Sequence, residues 1–344
     1  MTDPLMPAFC CKQPSKWTKF YDMMVEIDSD PYNYICMLSS LCGIGGAIYQ
    51  ILPQISLALS DNGSWASQRG RKTIVWLAVA DFFASLGIFA RSLIRLMVPA
   101  MVQRIKGTVT YCYLLSFWVQ YFYVVSWMWT LIYAIDIRLA LREQPSYRKT
   151  YHFCAWILPA IFTFIGLFIL YYPNANCFCS AENSFWKFFP NYIVSYLPML
   201  LVMIVNPVLY ISATSSVHLI VSQYLSQYTN KERLIVDMIK IKFGLINLTF
   251  YACWLPNLVN TVLLYSNWDN LPRRVIVSLW YIMAIMNPLQ ALFNCLVYQK
   301  PHDQILSRWN AYRVQEFHEA NERTPLLARR SGSSNNSEEP EFVL

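Results

Sequence analysis

Long apolar runs separated by short polar breaks dominate the chain. A bilayer core needs about 20 mostly apolar helical residues to cross it, and seven stretches qualify, at roughly 33–58, 73–98, 110–135, 151–172, 191–213, 238–265 and 274–298. Turn and breaker residues separate them: Ser60-Asp61-Asn62-Gly63 follows the first, Val98-Pro99 the second and Tyr172-Pro173-Asn174 the fourth, while the fifth fades into a Ser/Gln-rich run at 212–230. The pattern predicts an all-α membrane protein, a seven-transmembrane helix bundle over residues 33–298. Residues 1–32 mix Asp, Lys and Pro without an apolar core, so no signal peptide is expected ahead of the first span, which inserts on its own. After the seventh span, Ile305, Trp309 and Tyr312 form an apolar stripe beside Lys300, Arg308 and Arg313. This predicts an amphipathic helix at 299–317 lying on the lipid of the cytosolic leaflet, followed by a disordered tail at 318–344.

Composition agrees with that pattern. Of 344 residues 56% are hydrophobic and 14% charged, against about 25% charged in soluble domains, too few to cover a water-facing surface. A disordered scaffold and a secreted disulfide mini-domain are excluded. The net charge of +7 has no continuous basic face, which excludes a nucleic-acid binder. Most Lys and Arg sit on one side of the bundle: Arg69, Arg71 and Lys72; Arg138, Arg142, Arg148 and Lys149; Lys231, Arg233, Lys240 and Lys242; and the tail. The positive-inside rule then places the tail in the cytosol and the amino terminus on the lumenal or extracellular side.

Ionisable groups within spans are costly and mark function by default. Asp81 lies about eight residues into the second span, deep enough that it must face the interior, with Ser126 and Asn287 as expected partners in a polar switch. In the sixth span Cys253-Trp254-Leu255-Pro256 places a large aromatic before a kinking proline, a hinge in which Trp254 responds to ligand occupancy. Pro159, Pro198, Asn206-Pro207 and Asn287-Pro288 add kinks to neighbouring spans. At the cytosolic ends, Asp136 and Arg138 of the third span and Lys240 and Lys242 of the sixth are candidates for a breakable lock. Arg91 and Arg95, near the lumenal end of the second span, are candidate partners for a ligand carboxylate, Arg91 above all. Cys112 stands at the lumenal entrance of the third span, opposite Cys177 and Cys179 of the following lumenal loop, and a disulfide from Cys112 to one of them, Cys177 by preference, would order the bundle mouth. Cys36, Cys42, Cys154, Cys253 and Cys295 read as small apolar fillers.

Taken together, the spans, Asp81, Asp136, Cys112, Cys253-Trp254-Leu255-Pro256 and Asn287-Pro288 resemble the G protein-coupled receptor superfamily. Leu170-Tyr171-Tyr172-Pro173, the run Tyr196 to Val202, Asn206-Pro207 and the run Val236 to Phe243 are similar to the ocular albinism type 1 receptor family, over approximately residues 33–300. The resemblance implies a receptor of melanosomes and late endosomes or lysosomes, with heterotrimeric G proteins as partners, arrestin as a further one, and tyrosine-derived amino acids such as L-DOPA as ligands. It implies no cofactor, metal or catalytic residue. Two departures stand out. Asp136-Ile137-Arg138 displaces the arginine of the usual Asp-Arg-Tyr by one residue, and Val119 occupies the place where amine receptors carry an aspartate.

The tail carries an address. Glu322 stands four residues before Leu326-Leu327, the acidic dileucine spacing that clathrin adaptors read, and Phe342-Val343-Leu344 is a candidate PDZ ligand. The rival class is a transporter, because Pro53-Gln54 in the first span is similar to PQ-loop amino-acid carriers; those are built from two repeats, and the chain has none. A zinc hydrolase is excluded by the scatter of His152, His218, His302 and His318.

Overall fold

The computed structural model describes residues 29–59, 65–97, 108–142, 144–171, 184–223, 230–266 and 272–299. Among them every regular element is helical: α1 (Asp30–Leu59), α2 (Trp65–Met97), α3 (Thr108–Leu141), α4 (148–171), α5 (Ser184–Gln223), α6 (Asn230–Ser266) and α7 (Arg273–Gln299). The amphipathic helix expected at 299–317 and the tail beyond it lie outside the described residues, as does the amino-terminal segment up to residue 28.

Six helices, α1 to α5 and α7, are long and apolar enough to cross a membrane. The segment expected to be the sixth span is not among them, although α6 covers it fully. Asn247, Asn257 and Asn260 dilute its apolar character, and all three are buried, whereas Leu248, Leu255, Val259 and Val262 of the same helix are exposed. Hydropathy averaged around a helix cannot separate its two faces.

The whole bundle has this polarity. Ser39, Gln50, Asp81, Ser126, Asn206, Gln290 and Asn294 are buried while Leu38, Leu52, Phe164, Ile204 and Leu296 are exposed. Water would penalise such a surface, but lipid tails are as apolar as leucine and make no such demand. The helices therefore associate through close packing and polar contacts. α3 packs against α2, α4 and α5, and α7 packs against α1, α2 and α6. The α1–α7 contact depends on small residues: a Cβ on Gly43 would lie 2.2 Å from the Pro288 carbonyl oxygen, and one on Gly46 would lie 2.6 Å from the Leu292 Cα. Any side chain at either position would push the two backbones apart.

The prolines are reconciled with the helices one by one. Proline has no N–H, so the carbonyl four residues before it loses its helical partner. For Pro288 that carbonyl is Ala284, and the Ser39 hydroxyl of α1 donates to it at 2.7 Å. For Pro207 it is Met203, which accepts the Tyr251 hydroxyl of α6. In α4 the backbone itself adjusts. The helix runs from Arg148–His152 into a π turn at Phe153–Ile157 and resumes at Leu158–Tyr171, with the Leu158 N–H reaching back five residues to the Phe153 carbonyl just ahead of Pro159. Interior proline thus ties α7 to α1 and α5 to α6, since a hydroxyl on one helix satisfies a carbonyl on the next.

Candidate functional site

The buried polar residues converge on Asp81, which is 2% exposed near the middle of α2. Its two carboxylate oxygens have different partners. Ser126 of α3 donates to Oδ1 at 2.5 Å, and Asn294 of α7 donates through Nδ2 to Oδ2 at 3.0 Å. Gln290, one turn before Asn294, donates from Nε2 to the Ser126 hydroxyl at 3.2 Å. Its Oε1 accepts the indole N–H of Trp254 on α6. A continuous hydrogen-bonded chain therefore runs Trp254–Gln290–Ser126–Asp81–Asn294 and joins α6, α7, α3 and α2.

Trp254 is 0% exposed. Its ring meets Tyr123 and Trp127 of α3 edge-on, at centroid separations of 4.9 and 4.7 Å, an arrangement aromatic rings prefer. Cys253 beside it is buried, and Pro256 lies inside the helix two residues on. The ring is thus tied by contact to α3 and, through Gln290 and Ser126, to Asp81.

Asn287 is not the partner of Asp81. It lies two turns before Asn294 on the same face of α7, roughly 10 Å nearer the start of that helix at 1.5 Å per residue, and its Oδ1 makes no hydrogen bond. α7 runs antiparallel to α2 in the expected topology, so the depth of Asp81 matches Asn294 while Asn287 falls level with residues later in α2. There it lines a crevice with Tyr32, Cys36, Ile88 and Arg91. Asn287, Gln290 and Asn294 are spaced by three and four residues, a single helical stripe. That periodicity was the available signal for Gln290 and Asn294, neither of which stands out in the sequence alone.

Arg91 is half-buried, with its guanidinium beside Cys36 and Tyr32 of α1. The crevice there holds about 10 Å³, room for one water. At the opposite end, Asp136 is buried and accepts the Tyr151 hydroxyl of α4 at 3.2 Å. Arg138 is half-buried and its Nε has no hydrogen-bond partner. Lys240 and Lys242, the other half of the expected lock, have side chains outside the described residues. Further along α6, Phe243 packs between Tyr133 of α3 at 6.4 Å and Tyr210 of α5 at 5.4 Å.

Several sequence expectations fall where the structure describes nothing. Cys177 and Cys179, the side chain of Cys112, the side chains of Pro53 and Gln54, and the motif Glu322, Leu326 and Leu327 all lie outside the described residues. Cys36, Cys42, Cys154, Cys253 and Cys295 carry no disulfide.

The family model described as ocular albinism type 1 protein matches residues 1–302. The human G-protein coupled receptor 143 is 26% identical over 316 residues, covering 87% of this chain and 77% of that protein. Cyclic AMP receptor-like protein A of Dictyostelium discoideum is 25% identical over 284 residues, covering 81% of this chain and 66% of the relative.

Proposed function

We propose, from the premise that the chain belongs to the ocular albinism type 1 protein family, that it is a seven-transmembrane G protein-coupled receptor of intracellular organelles, and not an enzyme. α6 is the sixth of the seven spans, inserted with its asparagines toward the interior. The basic-residue bias orients the bundle with its amino terminus lumenal or extracellular and its tail cytosolic. The name of the human relative supports a receptor coupled to G proteins, and that of the Dictyostelium relative supports a receptor. The observation that carries the reading is the buried chain from Trp254 to Asp81, which links the α6 hinge to α2, α3 and α7. A two-state element of this kind is what a signalling bundle needs, since a ligand acts only by favouring one of two packings.

The ligand is a small aromatic amino acid of the L-DOPA type entering from the lumenal end, its carboxylate paired with Arg91 and its ring above Trp254. The experiment is a G protein dissociation assay in cells, run for each G protein class with and without such amino acids. Ligand-dependent dissociation is expected for at least one class. Because hydrogen bonds to charged groups contribute more than neutral ones, Arg91→Ala is expected to shift the dose-response by about tenfold or more. Silence of all G protein classes would sink the receptor reading; an unshifted curve would remove Arg91 from the ligand site alone.

Residence in melanosomes or in late endosomes and lysosomes follows from the tail, through clathrin adaptors reading Glu322, Leu326 and Leu327, with arrestin as a further cytosolic partner. Replacing Leu326 and Leu327 together by alanine is expected to move the receptor to the cell surface, measured by surface labelling. Unchanged retention in organelles would refute the adaptor reading.

A further inference from the structure

A second cavity lies at the end of the bundle where α2 begins and α3 finishes, and the polar chain described above does not reach it. It holds about 180 Å³ and is lined by Lys72, Thr73, Trp76, Trp129, Asp136, Ser146, Arg148, Tyr151 and His152. Pockets for drug-sized ligands run to about 300–1,000 Å³, so this one admits a headgroup and not a whole ligand. Its floor is buried and polar, made of Thr73, Asp136 and Tyr151. Its rim is exposed and cationic, with Lys72 from α2 and Arg148 from α4.

One wall is aromatic. Trp76 and Trp129 stack at 6.2 Å, and His152 meets both edge-on at 5.1 and 5.2 Å. Trp76 is 40% exposed, so this wall continues onto the apolar outer surface of the bundle. His152 immediately precedes the π turn of α4, a backbone irregularity that recurs at functional sites. The two rim cations outnumber the single carboxylate of Asp136, and its oxygen already accepts from Tyr151. A cationic or choline-like group would meet Lys72 and Arg148 head-on, and the facing ring surfaces of Trp76 and Trp129 are taken up by each other.

We infer that this cavity binds the phosphate of an anionic lipid headgroup from the adjoining leaflet, with Lys72 and Arg148 contacting the phosphate oxygens, Ser146 and His152 beside them, and the acyl chains lying along Trp76. Its position on α2, α3 and α4 means that lipid occupancy bears on Asp136, and so on the cytosolic end of α3, without touching the ligand end.

The full-length protein, purified in detergent, is titrated with a short-chain phosphatidylinositol 4-phosphate, followed by native mass spectrometry and by equilibrium binding. Saturable binding is expected, weakened by salt and absent for phosphatidylcholine. Each Lys or Arg near an anionic membrane surface contributes comparably, so Lys72→Ala with Arg148→Ala is expected to weaken binding by about thirtyfold. Lys72→Arg with Arg148→Lys keeps both charges and should restore binding to within about threefold of wild type. Thermal unfolding and elution volume report whether each variant is folded, and should the alanine pair fail to fold, Lys72→Gln alone takes its place. Competition by soluble inositol phosphates at equal strength would assign the site to a free phosphate compound and overturn the lipid assignment. Equal affinity in wild type and the charge-removal variant, or no saturable binding to wild type, would overturn the site itself. None of these readouts requires a G protein or an agonist.

Discussion

Trp254→Ala is expected to be the most damaging single replacement in the bundle, lowering stability by about 3–5 kcal/mol, the cost of truncating a buried aromatic. The side chain has no exposed surface and packs edge-on against Tyr123 and Trp127, with Phe250 a further neighbour. Alanine leaves a cavity that the surrounding rings can only partly fill. It also leaves the Gln290 Oε1 buried without its donor. Thermal unfolding in nanodiscs should show a midpoint lowered by on the order of 10 °C, and agonist response should vanish even at matched expression. Trp254→Phe separates the two contributions. It keeps a six-membered ring but loses the N–H and the rest of the five-membered ring. Interhelical hydrogen bonds in membranes average about 0.6 kcal/mol, so the loss of stability should be clearly smaller than for alanine and come mainly from the smaller ring. If the alanine variant melts within about a degree of wild type, Trp254 is not the packing centre of α6.

The second large effect concerns signalling more than folding. Asp81→Ala removes the acceptor of both Ser126 and Asn294 and leaves two buried donors without partners. Unmade buried hydrogen bonds cost about 1–3 kcal/mol each by general experience, and the membrane average is lower, so a total near 2 kcal/mol is expected. The link from α2 to α3 and α7 is cut, and agonist-dependent G protein dissociation should be abolished in correctly folded protein. Asp81→Asn is the sharper variant. Its Oδ1 still accepts from Ser126, and a flip of the Asn294 amide presents an oxygen to the new NH2, so the network closes without the charge. Retained stability with lost or constitutive signalling would make the charge itself the switch; retained stability with retained signalling would reduce Asp81 to a fastener of helix register. Asn287→Ala serves as the comparison. Its Oδ1 has no hydrogen bond, and its removal should cost less than Asp81→Ala.

Much of the architecture was legible beforehand because the physics behind it is one-dimensional. An apolar run of sufficient length forms a helix in hydrocarbon regardless of its neighbours, and the seven predicted spans fall on α1 to α7. The helices run further than the runs did: α5 begins at Ser184 and ends at Gln223, against an expected 191–213. Turn residues and charge mark where a chain leaves the lipid, while a helix continues for as long as its own hydrogen bonds permit. The π turn in α4 was not legible. Pro159 announced a disturbance, but widening, kinking and a borrowed donor are all ways of satisfying a proline, and only packing chooses among them.

The polar centre divides in the same way. Asp81 and Ser126 were identifiable because an acid deep in a span must turn inward and needs a donor within reach. Trp254 was identifiable from its place before Pro256. What was misplaced was depth along α7, where Asn287 was expected and Asn294 was found, with Gln290 completing the path to Trp254. A helical stripe tells which residues share a face, and it cannot tell which of them lies level with a residue on another helix. Composition and the apolar runs therefore established a helical membrane protein and, among the described residues, where its long helices lie. The pairings across helices, Asp81 with Asn294, Tyr251 with the Met203 carbonyl and Lys72 with Arg148 around one cavity, came only with the packed bundle, because relative depth is set by how whole helices seat against each other.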